Sequence, residues 1–207
     1  WIVRGSNRTR RRLTALGDLD GRVFALSPDA TKLLFTRGVT DADHINALWL
    51  VRIGEADPDP IPLDVNDVLW AGWHPKDARI AWTTAEVIEA APGWRGQNDL
   101  WTAILSMQNV LISRREVLKP EAGGGYGWWG TRYVWSPTSD VLAYSQPDTV
   151  GVIALRDAKR TPLLTFPAYR TYSSWAWNPA IAWSPNGNFI AAVIHAPDDA
   201  DGLAHAC

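Results

Sequence analysis

Residues 133–144 read Tyr-Val-Trp-Ser-Pro-Thr-Ser-Asp-Val-Leu-Ala-Tyr: an apolar run, a Ser-Pro step, a short polar turn and a second apolar run. Proline fixes φ and has no N–H to give a ladder, so Pro137 starts a turn where a strand ends. The pattern occurs three more times. Phe24-Ala-Leu-Ser-Pro28 precedes Leu33-Leu-Phe35, Ala71-Gly-Trp-His-Pro75 precedes Ile80-Ala-Trp82, and Ile181-Ala-Trp-Ser-Pro185 precedes Ile190-Ala-Ala192. Pro28, Pro75, Pro137 and Pro185 lie 47, 62 and 48 residues apart, the period of a four-stranded β-propeller blade with loop insertions.

Reading outward from these turns gives the expected organisation: all-β, a β-propeller of four-stranded antiparallel blades, three full and two partial. The first full blade spans residues 22–65, with a third strand over 47–53 and a proline-flanked edge strand over 61–65. The second spans 68–118 and carries its extra length as an insertion over 84–98; the third spans 132–166. Partial blades fall at 1–16 and 180–207, so 1–207 reads as one propeller segment. Both ends fall inside a blade, which favours a segment of a larger propeller unless 1–16 and 180–207 complete one blade between them. Trp73, Trp135 and Trp183, each just before a turn, are expected to be buried between blades.

The bulk numbers exclude more than they identify. A formal charge of -2 and a pI near 6.1 give no general attraction to nucleic acid or to an anionic membrane. The basic run Arg8, Arg10, Arg11 and Arg12 reads as a solvated hairpin turn, and no nucleic-acid partner is expected. No stretch reaches the roughly 18 apolar residues of a membrane span. Cys207 is the only cysteine, so an intrachain disulfide is impossible and a cysteine-based zinc site lacks its usual partners. The sequence shows no signal-peptide pattern and starts at Trp1 rather than Met. Thirteen tryptophans are the compositional anomaly, since Trp serves both for packing and as a binding platform.

Ser27 to Phe35, His74 to Trp82, Ser136 to Tyr144 and Ser184 to Ala192, followed by Leu48-Trp-Leu-Val51 and Asp99-Leu-Trp101, resemble the WD40-like repeat of TolB-type β-propellers. That repeat usually carries Ser-Pro-Asp-Gly and then a basic residue. Ser27-Pro-Asp-Ala30 and Ser184-Pro-Asn-Gly187 come close, whereas His74-Pro-Lys-Asp77 and Ser136-Pro-Thr-Ser139 depart in the turn. The resemblance covers nearly the whole chain. It implies a propeller and an exported bacterial protein, periplasmic or extracellular. Such propellers serve as partner-binding modules, as solute-binding domains, or as substrate-gating domains of serine peptidases.

In a blade of this strand order, the connections over 37–46, 84–98, 121–131, 146–149, 168–179 and 196–203 emerge on one face. Long loops on one rim are where scaffolds carry recognition. The candidate ligand-binding residues there are Trp94, Arg95, Tyr126, Trp128, Trp129, Arg132, Tyr169, Arg170, Tyr172, Trp175 and Trp177, an aromatic surface with arginine anchors for a protein partner or small ligand such as a carbohydrate or peptide. The competing account is that these rings fold back to plug the channel mouth or cement neighbouring blades. Asp41, Asp43 and His44, and Asp198, Asp199 and Asp201, lack metal-loop spacing and read as solvated loops. His74 stands where the other repeats have Ser and reads as a turn-stabilising hydrogen-bonding residue. No metal or cofactor is expected. No Gly-x-Ser-x-Gly elbow or paired base appears, so the chain reads as non-catalytic, with the gating propeller of a modular serine peptidase as the alternative.

Overall fold

The computed structural model describes residues 2–3, 6, 10–14, 19–39, 43–55, 58–89, 93–121, 130–168, 177–195 and 204–206, and no helix occurs among them. Strands β1 (Ile2–Val3) and β2 (Arg10–Arg11) form an antiparallel pair. The first full sheet is β3 (Phe24–Leu26), β4 (Lys32–Gly38), β5 (Asn46–Arg52) and β6 (Ile61–Asn66), in that spatial order. The second holds β7 (Val68–Trp73), β8 (Arg79–Val87), β10 (Leu100–Leu105) and β11 (Leu111–Leu118), with β9 (Trp94–Gly96) paired to the far end of β8. The third is β12 (Arg132–Trp135), β13 (Val141–Gln146), β14 (Thr149–Ala154) and β15 (Lys159–Thr165). In the fourth, β16 (Ile181–Trp183) pairs β17 (Ile190–His195), which pairs β18 (Ala204–Ala206). Consecutive antiparallel strands in four successive sheets make a partial β-propeller, as the repeat predicts.

Three departures from the sequence reading stand out. Half of the expected 84–98 insertion is strand, because Ala85, Glu86 and Val87 pair with Gly96, Arg95 and Trp94. The fourth sheet has a third strand, β18, beyond the two apolar runs read around Pro185. Arg10 and Arg11 lie in β2 itself rather than in its turn. Among the described residues, β1–β2 and β16–β18 form two separate hydrogen-bonded sheets.

Each turn is built by its own side chains. Ser27 Oγ donates to Asp29 Oδ1 (2.6 Å) and accepts from Lys32 N (2.9 Å), while Asp29 Oδ1 also accepts from Thr31 N (3.0 Å). The same cage recurs where Ser184 Oγ donates to Asn186 Oδ1 (2.7 Å) and accepts from Phe189 N (3.0 Å). These donors hold the Asp29 carboxyl down at about 2, the Ser27 hydroxyl being the largest contributor.

The alternation of strand side chains gives the first and second sheets two apolar faces. Leu34, Leu48, Leu50 and Leu63 of the first sheet meet Ile80, Trp82, Ala103 and Leu105 of the second. Ala81 and Leu100, on the opposite face of the second sheet, meet Tyr133, Trp135, Leu142, Tyr144 and Ile153 of the third. Leu33, Phe35, Val51 and Ile53 pack with Leu13. A tryptophan ladder ties the sheets: the Nε1–H groups of Trp73, Trp135 and Trp183 donate to Ala25 O (2.9 Å), Gly72 O (3.1 Å) and Val134 O (3.0 Å). Trp73 and Trp135 are buried, whereas Trp183 is half-buried. In the first sheet the equivalent residue is Leu26, which lies 53% exposed.

Candidate functional site

The strand order puts the connections into each sheet, and those between its second and third strands, on one rim. The roots of these connections are fixed by buried polar side chains. Asn46 accepts from Val68 N (2.8 Å) and donates to Val68 O (3.0 Å), joining the first sheet to the second. Asn98 Oδ1 accepts from Thr131 N (2.9 Å) and Thr131 Oγ1 (3.1 Å), joining the second to the third. Gln146 donates to Thr131 Oγ1 (2.9 Å), Ser145 Oγ to Pro179 O (2.8 Å), and Asn178 to Gly130 O (2.6 Å). Asn178 Oδ1 is buried with no hydrogen-bond partner among the described residues. The two asparagines occupy the same place in an Asn-x-Leu-Trp motif, Asn46 to Trp49 and Asn98 to Trp101, a signal that sequence reasoning passed over.

Asp99, beside Asn98, is buried and accepts from Thr84 N (2.7 Å), Thr84 Oγ1 (2.6 Å) and Trp101 Nε1 (2.9 Å). Burial pushes its carboxyl above the usual carboxylate range, and these donors oppose that shift without cancelling it. The carboxylate is a brace for the base of the β8–β9 hairpin.

Four of the eleven sequence-predicted binding residues lie among the described residues. Trp94 is 7% exposed, with the Arg22 guanidinium 4.3 Å from its ring centroid, so this ring packs. Arg95 is exposed and ion-paired to Glu86 (2.7 Å) on the paired strand. Arg132 is exposed and Trp177 half-buried. Tyr126, Trp128, Trp129, Tyr169, Arg170, Tyr172 and Trp175 lie outside the described residues, as does the Asp198–Asp201 cluster. His44 pairs through Nδ1 with Asp67 Oδ2 (2.8 Å), a structural contact between the β4–β5 connection and the residue that joins β6 to β7.

The opposite rim carries the short turns, with two clefts between sheets. One of about 350 Å³ lies between the first and second sheets, lined by Pro28, Lys32, Trp73, Pro75, Ala78 and Met107 among others. The second, about 300 Å³, lies between the second and third sheets and includes Arg79, Arg115, Asp140 and Arg156. Its turn side is clamped. Arg79 Nη1 donates to Asp140 Oδ1 (2.8 Å), Lys76 Nζ donates to Thr138 O (2.8 Å), and His74 Nε2 lies 3.1 Å from Asp140 Oδ1. His74 Nδ1 accepts from Lys76 N (3.3 Å) within its own turn. His74, Asp77 and Asp140 come near enough to hold a cation, but the Arg79 guanidinium already lies against both carboxylates. The cluster is an inter-sheet ion-pair network.

No protein-family model matches the chain, and no curated protein sequence matches it. Solved structures of like fold include TolB from Acinetobacter baumannii, 15% identical at a TM-score of 0.56 over 99% of this chain and 44% of that one. The β-propeller domain of the Trilobed protease from Pyrococcus furiosus is 12% identical, with a TM-score of 0.51 over 83% of this chain and 48% of its own. Prolyl oligopeptidase B from Galerina marginata is 11% identical, with a TM-score of 0.54 over 85% of this chain and 24% of its own. At such identities the likeness establishes the β-propeller fold. The chain spans less than half the length of each of these proteins. No helix among the described residues is long and apolar enough to cross a membrane.

Proposed function

We propose that this propeller is a non-catalytic scaffold that binds a protein partner or small ligand through its long-connection rim, using Tyr126, Trp128, Trp129, Arg132, Tyr169, Arg170, Tyr172, Trp175 and Trp177. The observation that carries this reading is the set of buried side-chain bonds from Asn46, Asn98, Ser145, Gln146 and Asn178. Those from Asn46, Asn98, Ser145 and Asn178 brace the roots of the connections on that rim against the neighbouring sheet, and Gln146 ties Thr131 within the third sheet. Variable connections on a braced base are the usual way a scaffold presents a recognition surface. Trp94 belongs to the base, where it packs under Arg22. On the same reading the protein works outside the cytoplasm.

The test is a titration of soluble glycans and extended peptides, followed by intrinsic tryptophan fluorescence. A saturable signal that Trp128→Ala and Trp175→Ala remove, with thermal stability unchanged, supports the rim. Major unfolding of both variants assigns these rings to packing and overturns it. Association with a serine peptidase domain, seen as co-purifying hydrolase activity, would favour the gating alternative.

A further inference from the structure

The four Ser-Pro-type turns correspond residue by residue, because one backbone bond closes each of them. Ser27 N, His74 N, Ser136 N and Ser184 N donate to Lys32 O, Arg79 O, Val141 O and Phe189 O. A second bond fixes the same register from within each full sheet: Ile53 N, Leu105 N and Leu155 N donate to Thr31 O, Ala78 O and Asp140 O. In this frame Lys32 is the counterpart of Arg79, and Ala78 of Asp140. Between the second and third sheets the pair is complete, Arg79 to Asp140 at 2.8 Å. Between the first and second sheets, Lys32 has Ala78 opposite, where its carboxylate partner should stand.

The 350 Å³ cleft lies at this mismatch and is lined by both Lys32 and Ala78. Among the described residues Lys32 Nζ reaches only Thr31 Oγ1, at 3.4 Å, and no ion pair. Asp29 lies close enough to feel the lysine charge, but its Oδ1 is taken by Ser27 and Thr31. Asp77, also on the wall, already pairs with Arg79. Lys76 is tied to Thr138 O. One cation is therefore left uncommitted, which suits a monoanion.

Apart from Ser27 and Ser106, the remaining walls are apolar: Pro28, Trp73, Pro75, Leu105 and Met107. Trp73 has its only polar atom engaged with Ala25 O, so it offers carbon to the cleft. Met107 stands at the lip with 96% of its surface exposed, an adaptable thioether that a solvated turn does not need. We infer that this cleft binds a carboxylate carried on an apolar body, such as an apolar residue with a free α-carboxylate, the carboxylate standing to Lys32 as Asp140 stands to Arg79.

The chain has one methionine, so a ¹³C-methyl label on Met107 reports on the lip of this cleft alone. The probes are N-acetyl-leucine, N-acetyl-leucinamide and the peptide Ala-Ala-Ala-Leu with a free chain end. The expected result is a saturable shift of the Met107 methyl resonance with the two carboxylates, and affinity weaker by about tenfold or more for the amide. Tighter binding of the peptide than of the free acid would mark a polypeptide end as the source of the carboxylate, and the reverse a free organic acid. Lys32→Met should abolish the shift. Ala78→Asp should abolish it too and raise the melting temperature, because it supplies from the chain the carboxylate now missing. Equal affinity for acid and amide, retention of binding in Lys32→Met, or no shift with any probe overturns the inference.

Discussion

Trp135 shows how a single side chain joins two sheets. Its indole meets the His74 ring edge-on at 4.9 Å, and its N–H donates to Gly72 O in the preceding sheet. Trp135→Ala and Trp73→Ala should each cost about 3–5 kcal/mol in urea denaturation, and Trp183→Ala clearly less because that ring is half-buried. A Cβ on Gly151 would come within 2.6 Å of Thr161 O and 2.7 Å of the Tyr144 ring. Gly151→Ala should therefore destabilise by about 1–3 kcal/mol in the same measurement, since backbone lines one side of that gap. Two carboxyls give opposite pH dependences. The Asp29 carboxyl is depressed to about 2 in the folded protein, so its contribution is complete above the unfolded value near 4 and disappears as pH falls towards 2. Asp99 is shifted upward by burial, so the folded form holds its proton more tightly and stability declines as pH rises from about 4 through the folded value. Asp29→Asn should flatten the acid limb of a stability–pH curve, and Asp99→Asn the limb above it; unchanged limbs would contradict these assignments. The ladder tryptophans were legible in the sequence because each sits at a fixed offset from a proline. The mismatch of Lys32 with Ala78 was not, because the two are 46 positions apart in sequence and meet only across a junction between sheets.

At the scale of elements, the outer strand β11 is the most informative. Its register slips between Thr102 and Ile104, and Ser113 takes a left-handed φ of 53°. Because side chains alternate across a strand, the successive arginines that follow the bulge point to opposite sides. Arg114 donates to Leu63 O (2.7 Å) and Asp64 O (3.0 Å) of the first sheet, while Arg115 donates to Leu155 O of the third. Arg114→Ala and Arg115→Ala should each cost about 1–2 kcal/mol, and the double variant close to their sum, because the two arginines act at different junctions. Denaturation midpoints of the three variants check this. The bulge was hidden in the sequence because Ser113-Arg-Arg115 in an edge strand reads as plain solvent-facing polarity. The β8–β9 hairpin was also missed, since Pro92 and Gly93 mark the stretch as loop and the pairing residues Glu86 and Arg95 carry charge. The strands around the Ser-Pro turns were legible because alternation and proline agree there.

Across the molecule, each sheet touches its immediate neighbours, so stability resembles a sum of sheets and junctions. The second sheet is covered on both faces, whereas β1–β2 and the fourth sheet stand at the ends of the array. Native-state hydrogen exchange should therefore be slowest in β8 and β10 and fastest in β1, β2 and β16–β18. Uniform protection across all the sheets would show instead that the array opens as one unit.

The tryptophan ladder has a direction. Trp73 bonds to Ala25, Trp135 to Gly72 and Trp183 to Val134, so every indole reaches towards the N-terminus and never towards the C-terminus. During synthesis, each new sheet would leave the ribosome with its acceptor already in place on a finished surface. No rung has to wait for chain not yet made, so the propeller is suited to being assembled in the order in which it is translated.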